Sequence, residues 1–325
     1  MILFNCYYLI SDLDSKAADL VAGGLAVNSR RAYSYAVTRF LDFCTRYALD
    51  PIRIEESTVI RFIAYLSCIP ISPSTVRVYL AGIRAWIISE GHPPPYIYSQ
   101  RVKWALRSLD RSAPNPVRAR PFTMSMLRVV FHFIDYSYDN VLMFSAMLLG
   151  YFGCLRSSEY CYAPGCTPLL LSHVKIVEAS TRFMIISVQS SKTAHKGFQL
   201  VVGCSRSAIC AVCWLKHFIS IRSHPPSLPL FTLKSGVPLT RAALSLFMRQ
   251  SLSAAGMDPS NISTHSLRAG SATDAAGLGL TDSAIQQLGR WKSSAFTVYL
   301  RPSQSDQAAV AAQLASIQGR GNSPT

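Results

Sequence analysis

The fold is decided by the stretch Thr264–Pro302, which reads THSLRAGSATDAAGLGLTDSAIQQLGRWKSSAFTVYLRP. Ser263 or Thr264 can cap a helix at the start of this stretch. His265 and Arg268 then fall in the first turn, three residues apart and on one face. The partial positive charge of a helix N-terminus suits an anion such as phosphate. The small residues 269–276 that follow allow this helix to lie deep in a core.

The same stretch contains the groups needed to attack a phosphodiester. Guanidinium and imidazole groups such as those of Arg268 and His265 can neutralise the non-bridging oxygens of a phosphorane. Tyr299 can serve as a nucleophile that keeps a broken strand covalently bound. A tyrosine among apolar neighbours is ordinarily part of a core. Its distance from Trp291 and the absence of any later tyrosine favour the nucleophile.

Together, these residues resemble the C-terminal signature of the tyrosine recombinases, the phage integrase type, and most closely the versions in eukaryotic mobile elements such as DIRS-like retroelements and Crypton-type transposons. The family pattern has an arginine early in the catalytic domain, a lysine on a β-hairpin, His-x-x-Arg, a His or Trp, and a tyrosine. Many relatives place that His nine residues before the tyrosine, where this sequence has Arg290. The resemblance assigns the role to Trp291, and Arg290 is the alternative.

An arginine follows the longest apolar run of the sequence. The run, Val141 to Leu155, is too short for a membrane helix, which needs about 20 residues, and predicts a buried core helix. A guanidinium directly after it, that of Arg156, needs an anion or a carboxylate as a partner. Glu159 is one such partner. The resemblance implies instead that Arg156 is the first catalytic arginine of the family, with Glu159 as a supporting acid.

Residues 169–202 change from helical to strand periodicity and predict a small antiparallel sheet. The loop 190–197, before its last strand, contains Lys192 and Lys196. Two solvated loop lysines are the ordinary interpretation of such a loop. The resemblance implies that Lys192 is the general acid that protonates the departing 5′-oxygen, with Lys196 as the competing candidate. The full catalytic set that it implies is Arg156, Lys192, His265, Arg268, Trp291 and Tyr299.

The first third of the sequence predicts four amphipathic helices between residues 28 and 109, separated by proline and glycine breaks. The chain has a formal charge of +15 over 325 residues, which favours a polyanionic partner. The arginines on this bundle either form a solvated basic surface or clamp DNA, and the bundle resembles the core-binding domain of the family. The arginines expected to contact DNA are Arg30, Arg31, Arg77, Arg84, Arg118, Arg120 and Arg290.

The expected fold class is mainly α with a small antiparallel β-sheet. It comprises an N-terminal helical bundle, similar to the SAM-like core-binding domains, and an α+β catalytic domain of the tyrosine recombinase type. The expected segments are a DNA-clamp domain 1–109, a proline- and arginine-rich linker 110–121, a catalytic domain 122–302, and a C-terminal helix and tail 303–325. Relatives hand such a helix to a neighbouring protomer, which implies a homo-oligomer, a tetramer on DNA.

Nine cysteines are scattered through the sequence and predict reduced intracellular thiols. Cys204, Cys210 and Cys213, with His217 four residues later, could supply zinc ligands of the Cys₃His type. The alternative, which we favour, is a helix from Cys204 to Ile221 in which Cys210 and Cys213 fill a core face. We therefore expect no metal and no cofactor.

The resemblance implies a site-specific DNA recombinase or integrase that cuts and rejoins double-stranded DNA through a 3′-phosphotyrosyl intermediate, for the integration of a mobile element and in the nucleus. Two alternatives are a domesticated DNA-binding protein that no longer cuts and a type IB topoisomerase-like enzyme. No membrane association is expected. The N-terminal residues 1–16 are apolar in part but lack the basic region of a signal peptide.

Overall fold

The protein is mostly helical and has a small antiparallel sheet, which confirms the predicted fold class. The computed structural model describes residues 9–114, 119–191 and 196–299, together with Ala308 and Ala312. The chain divides into two compact units, Met1–Pro116 and Val117–Thr325, and the division falls inside the segment that the sequence predicts to be a linker. None of the described helices has the length and apolar character needed to cross a membrane.

The first unit is a helical bundle. Its described helices are α1 (Ile10–Gly23), α2 (Val27–Arg46), α3 (Glu56–Ser67), α4 (Pro73–Ser89) and α5 (Gln100–Ser112). The Ser72 hydroxyl caps α4 by accepting from the Thr75 N–H, and the Ser99 hydroxyl caps α5 in the same way. Buried apolar side chains of α2 to α5, among them Phe40 and Phe62, form its core. Helix α5 continues three residues into the predicted linker, to Ser112.

The second unit packs helices around a long buried helix and a small sheet. Its described elements are α6 (Met124–Phe131), α7 (Tyr138–Phe152), β1 (Val174–Val177), β2 (Phe183–Val188), β3 (Phe198–Gly203), α8 (Ala211–Ile221), α9 (Arg241–Ala254), α10 (Thr264–Gly277) and α11 (Asp282–Gly289). The strands pair antiparallel in the order β1-β2-β3, with Val188 opposite Phe198 beside the predicted loop. Side chains of β2 are alternately buried and half-buried, as in a sheet covered on one face.

The helix that the sequence predicts from Cys204 to Ile221 begins seven residues later, at Ala211. Residues 204–210 instead form a loop in which Arg206 has a φ of 55°. That left-handed backbone conformation is incompatible with a continuous helix, so this part of the prediction is wrong. Periodicity alone did not reveal the error, because the apolar spacing of the true helix extends backwards through Ile209.

Helix α7 is the centre of the core, as the apolar run predicted. Ten consecutive or near-consecutive residues between Val141 and Tyr151 are buried. A polar group within this run, the Ser145 hydroxyl, donates to the Trp214 carbonyl of α8 at 3.1 Å and is therefore satisfied. Because α7 ends at Phe152, the chain that follows it, including Arg156, emerges directly from the core.

Helix α10 approaches the backbone of Phe122 very closely. The Phe122 N–H donates to the Ser266 carbonyl at 2.8 Å, and a Cβ added at Gly270 would lie 1.9 Å from the Phe122 carbonyl oxygen. Both contacts are to backbone, so neither can be relieved by a rotamer change. A residue without a side chain at position 270 is thus required by the packing of α10 against the chain that leads into α6.

We expect Gly270→Ala to destabilise the protein by about 1–3 kcal/mol, since an overpacked core must shift its backbone. The free energy of unfolding in urea measures this effect. Gly277→Ala, at the other end of α10 where a Cβ would meet nothing within 4 Å, is the matched control. It should be neutral or slightly stabilising, because alanine has the higher helix propensity. Equal effects of the two substitutions would show that the close approach does not limit stability.

Candidate active site

The imidazole of His265 and the hydroxyl of Tyr299 meet at the N-terminus of α10. His265 Nε2 lies 2.8 Å from the Tyr299 hydroxyl oxygen, and the two rings pack edge to face with centroids 5.2 Å apart. The Thr273 hydroxyl of α10 donates to the Tyr299 carbonyl at 2.8 Å. Helix α10 therefore positions both the imidazole and the chain segment that bears the phenol.

Tyr299 follows a 3₁₀ turn, Ser294–Val298. The Ser293 hydroxyl caps this turn by accepting from the Ala295 N–H. The buried Phe296 side chain anchors the turn, with its ring 5.9 Å from that of Trp291. The tight turn leaves Tyr299 half-buried, between a core position and an exposed one.

Arg268 is almost completely enclosed, with 1% of the residue exposed. Its guanidinium donates to the carbonyl oxygens of Cys154 and Gly289. The Trp291 ring covers it, with the guanidinium carbon 4.2 Å from the ring centroid. Burial lowers the pKa of Arg268, but the guanidinium of an arginine stays protonated in proteins. A permanent cation is thus fixed one turn of α10 away from His265.

The Glu159 carboxylate binds two further arginines. Its side chain has no exposed surface, and its oxygens lie 3.0 Å from Arg156 Nη1 and 3.6 Å from Arg290 Nη2. The backbone N–H of Arg156 also donates to the Glu159 carboxylate, at 2.8 Å. The side chains of Arg156 and Arg290 are 22% and 23% exposed, so solvent still reaches both. The carboxylate partner that the sequence offered for Arg156 is therefore present, and it leaves part of the guanidinium open.

Arg290 and Trp291, the two alternatives for the His/Trp role, point in different directions. Arg290 has a φ of 55° at the end of α11 and donates to the carbonyls of Gly153 and Cys154, at 3.1 and 3.0 Å. The Trp291 ring lies 5.7 Å from the Tyr299 ring. The contact with the tyrosine ring favours Trp291 for the His/Trp role. Arg290 instead pairs with the Glu159 carboxylate.

Gly289 allows the indole of Trp291 to fold back over α11. A Cβ at Gly289 would fall 1.7 Å from the Trp291 ring. The Trp291 carbonyl accepts from the Gln286 side chain at 3.0 Å, which fixes the backbone after the turn. The Gly-Arg-Trp step therefore combines a residue without a side chain, a left-handed backbone at Arg290 and a large ring that packs over the glycine.

The pKa of His265 is lowered from its usual value of 6.5. Partial burial of the ring is the largest cause, and the nearby guanidiniums of Arg268 and Arg156 add to it because they repel a second positive charge. The imidazole is therefore neutral at neutral pH. A neutral Nε2 can accept a proton from the Tyr299 hydroxyl.

Several predicted residues lie elsewhere or outside the described part of the chain. Lys192 and Arg118 fall outside the described residues, as does the predicted C-terminal helix apart from the helical Ala308 and Ala312. Lys196, the alternative to Lys192, is exposed at the end of the loop before β3.

The remaining arginines predicted to contact DNA differ in the contacts that their side chains make within the protein. Arg30 and Arg31 are exposed on α2. Arg77 forms an ion pair with Asp110 at 2.5 Å, and Arg84 lies over the Tyr98 ring at 5.6 Å. Arg120 donates to the Asp258 carbonyl at 3.1 Å. These contacts do not test the role of these arginines in DNA binding, which stays a prediction.

Sequence reasoning missed a second carboxylate with internal partners, that of the half-buried Asp274. Its Oδ2 accepts from the Tyr151 hydroxyl at 2.5 Å and from the Met124 N–H at 2.6 Å. It therefore joins α7 and the start of α6 to the helix that bears His265 and Arg268. An acid inside a run of small residues was the available signal, because such a run predicts burial and a buried acid needs donors.

Residues 144–305 match the model of the phage integrase family. No curated protein matches the chain in sequence.

Among solved structures, the fold is similar to that of XerH site-specific recombinase bound to palindromic difH substrate, with a TM-score of 0.63 at 16% identity over 88% of this chain and 79% of that one. It is also similar to Tn1549 transposon integrase in complex with circular intermediate DNA, with a TM-score of 0.61 at 13% identity over 91% and 97% of the two chains. A lambda integrase dimer bound to a COC′ core site gives a TM-score of 0.55 at 17% identity over 98% of each.

The TM-scores establish a shared fold, and the family match runs from within α7 to the segment that bears Tyr299. His265, Arg268 and Tyr299, which the structure brings together, all lie inside the matched segment. Residues 144–305 of this chain thus match the phage integrase family, the tyrosine recombinases.

Proposed function

We propose that this protein cuts and rejoins double-stranded DNA through a covalent 3′-phosphotyrosyl intermediate. The observation that carries the proposal is the 2.8 Å contact between the Tyr299 hydroxyl and His265 Nε2, beside the guanidinium of Arg268. Similar structures of the same fold are described as complexes with DNA. The formal charge of +15 suits a polyanionic substrate.

In the proposed reaction, the Tyr299 oxygen forms a bond to the phosphorus of one phosphodiester. The bond from phosphorus to the 5′-oxygen breaks and releases a 5′-hydroxyl end. The Tyr299 proton passes to His265 Nε2, which is neutral because its pKa is lowered. A 5′-hydroxyl reverses the same steps to reseal a strand, so the bond energy is conserved in the phosphotyrosine.

The cations of the site have different access to a phosphate. Arg156 is partly open to solvent and can contact a non-bridging oxygen directly. Arg268 is covered by the Trp291 ring, so its contact with phosphate requires the indole to move aside. We therefore propose that Arg156 binds the phosphate first, and that Arg268 and the Trp291 N–H join as the phosphorane forms.

The leaving 5′-oxygen needs a proton, and we propose Lys192 as its donor, on the basis of the family resemblance. Lys196, four residues later on the same loop, is the alternative. Single-turnover cleavage of DNA with a 5′-bridging sulphur separates them, because a thiolate leaves without protonation. The substitution that is rescued by sulphur, Lys192→Ala or Lys196→Ala, identifies the donor.

For the wider role, we propose integration of a mobile element by a homo-oligomer acting in the nucleus. The Gly-Arg-Trp step supports the mobile-element branch, and a transposon integrase is among the proteins of similar fold. We further propose a tetramer on DNA, assembled through the C-terminal helix. Gel filtration of DNA complexes tests this: a chain that ends at Ser303 should form smaller complexes than the full chain, and unchanged assembly would refute it.

The proposed chemistry is tested with a pool of nicked duplexes whose sequence around the nick is randomised. Cleavage next to the nick releases a short strand and traps the protein on DNA, and the trapped adducts survive denaturation. Adducts enriched for one sequence support a site-specific recombinase. DNA binding without an adduct in any member of the pool supports a non-cutting binding protein, and relaxation of plasmids without sequence preference supports a topoisomerase.

The lowered pKa of His265 predicts how cleavage depends on pH. Because the imidazole stays neutral to lower pH than a free histidine, the rate of adduct formation should fall only below pH 6.5 on the acid side. In His265→Asn this acid limb should vanish and the rate should fall by about 10²–10⁴-fold. His217→Asn, at an exposed position on α8, is the control and should leave the profile unchanged. An acid limb above pH 6.5, or one that persists in His265→Asn, would contradict this role.

A further inference from the structure

Three thiols converge where the sheet meets α8. Cys204 directly follows β3, Cys210 is the N-cap residue of α8, and Cys213 lies in the first turn of that helix. The Cys204 sulphur lies 3.5 Å from that of Cys210 and 3.6 Å from that of Cys213. All three sulphurs lie within 4.8 Å of one another. The mechanism proposed above makes no use of them.

We propose that Cys204, Cys210 and Cys213 bind a single zinc ion that joins β3 to α8. Zinc–sulphur bonds of about 2.3 Å at tetrahedral angles place neighbouring sulphurs roughly 3.8 Å apart. The observed separations of 3.5 and 3.6 Å match this spacing after a small outward adjustment of the side chains. Three sulphurs at such distances, drawn from a loop and a helix, have the arrangement of a coordination sphere.

The sequence alone favoured a core-filling role for these cysteines, and that interpretation depended on a helix beginning at Cys204. The loop 204–210 removes that basis, because it turns Cys204 towards Cys210 and Cys213. Cys204 and Cys213 are also only half-buried, whereas cysteines that fill cores are usually enclosed. Partial exposure gives an ion a path to the site.

The position of Cys210 favours the thiolate form that a metal requires. Cys210 stands at the N-terminus of an 11-residue helix, whose unpaired N–H groups and dipole stabilise a negative sulphur. The guanidinium of Arg182 lies beside Cys204 and Cys213. Three thiolates and one Zn²⁺ have a net charge of −1, which a neighbouring cation offsets.

His217, the fourth ligand that a Cys₃His site would use, does not join the cluster. It is exposed on α8, one turn beyond Cys213, and lies outside the group of convergent ligand atoms among the described residues. We therefore assign the fourth position to a water molecule from the solvent side. Zinc with three protein ligands and a water is an established coordination.

The proposed ion would stabilise the sheet against the core. Helix α8 packs on α7, and β3 pairs with β2, so a crosslink between Cys204 and α8 connects the C-terminal end of β3 to the central helix. Metal binding to a folded site contributes to folding free energy. The thermal midpoint of unfolding should therefore rise when zinc is added to the metal-free protein.

The test uses the full chain, reduced, stripped with a chelator and titrated with Co²⁺. We expect a thiolate-to-cobalt absorption band that saturates at one ion per chain and is abolished by Zn²⁺. Cys204→Ser and Cys213→Ser should each weaken or abolish the band, while Cys68→Ser, at an exposed cysteine of the first unit, should leave it unchanged. X-ray absorption of the zinc-loaded native chain should show three sulphurs at about 2.3 Å, a result that needs no substitution.

Three results would overturn the proposal. The first is a reduced native chain that gives no thiolate-to-cobalt band. The second is a band that persists when Cys204 and Cys213 are both replaced by serine. The third is zinc bound without sulphur neighbours in the absorption spectrum.

A disulfide between Cys204 and either partner, found by mass spectrometry in the chain isolated without reductant, together with absent metal binding after reduction, would identify a redox pair instead. Failure of this site leaves the DNA cleavage test unaffected, because that test reads Tyr299 chemistry.

Discussion

Tyr299→Phe should abolish the covalent protein–DNA adduct, with a fall of at least about 10⁴-fold in the rate of its formation. The substitution removes one oxygen, which is the atom 2.8 Å from His265 Nε2. It retains the ring that packs against Trp291 and His265, so the fold and the affinity for DNA should be unchanged. Denaturing gels with a nicked duplex measure the adduct, and a native mobility shift measures binding.

A matched control separates loss of the nucleophile from loss of any tyrosine hydroxyl. Tyr162 belongs to the same unit, and 38% of it is exposed. Tyr162→Phe should form the adduct at the native rate. If Tyr299→Phe still traps DNA covalently, another residue is the nucleophile. If it loses DNA binding along with the adduct, the hydroxyl has a structural role and the experiment does not support catalysis by Tyr299.

Glu159→Ala should be the most destabilising single change in the candidate site, by about 3–5 kcal/mol. The carboxylate has no exposed surface and pairs with Arg156 and Arg290, so its removal leaves two guanidiniums without their acid. Arg290 also donates to the backbone carbonyls of Gly153 and Cys154, which hold its guanidinium beside the vacated position. The free energy of unfolding in urea measures the effect, and adduct formation should fall with it because Arg156 loses its orientation.

Glu178→Ala is the control for a pair of cations on one carboxylate. Glu178 contacts Arg182 at 2.5 Å and Lys216 at 2.7 Å, but 45% of its side chain is exposed. Exposed pairs of this kind contribute about 0–1 kcal/mol, since water replaces them. A similar loss of stability in the two variants would mean that burial of Glu159 does not govern its contribution.

Much of the second unit follows from local sequence pattern. The apolar run before Arg156 predicted the central helix, and the alternation of apolar and polar residues predicted the sheet. Both patterns could be read from the sequence because the periods of helices and strands are short-range properties. The helix of His265 and Arg268 was predicted from its cap and its small residues. The small residues predicted that this helix is buried, but they did not predict what it packs against. Only the structure shows that Gly270 lies against the Phe122 backbone.

The parts that sequence could not supply are long-range or conformational. Arg290 turns inward to Glu159, more than a hundred residues earlier, because a left-handed backbone at its position redirects the side chain. Nothing in the residues around Arg290 encodes that partner. The start of α8 was missed for a similar reason, since the loop at Arg206 depends on backbone conformation rather than on apolar spacing.

The account depends most on the identity of the nucleophile, and peptide mapping of the trapped adduct tests it most directly. The native chain is trapped on a nicked duplex, digested with a protease and a nuclease, and analysed by tandem mass spectrometry. The account predicts a nucleotide remnant joined through its 3′-phosphate to the Tyr299 oxygen, in the peptide that follows Lys292. A remnant on any other residue, or joined through a 5′-phosphate, would contradict it.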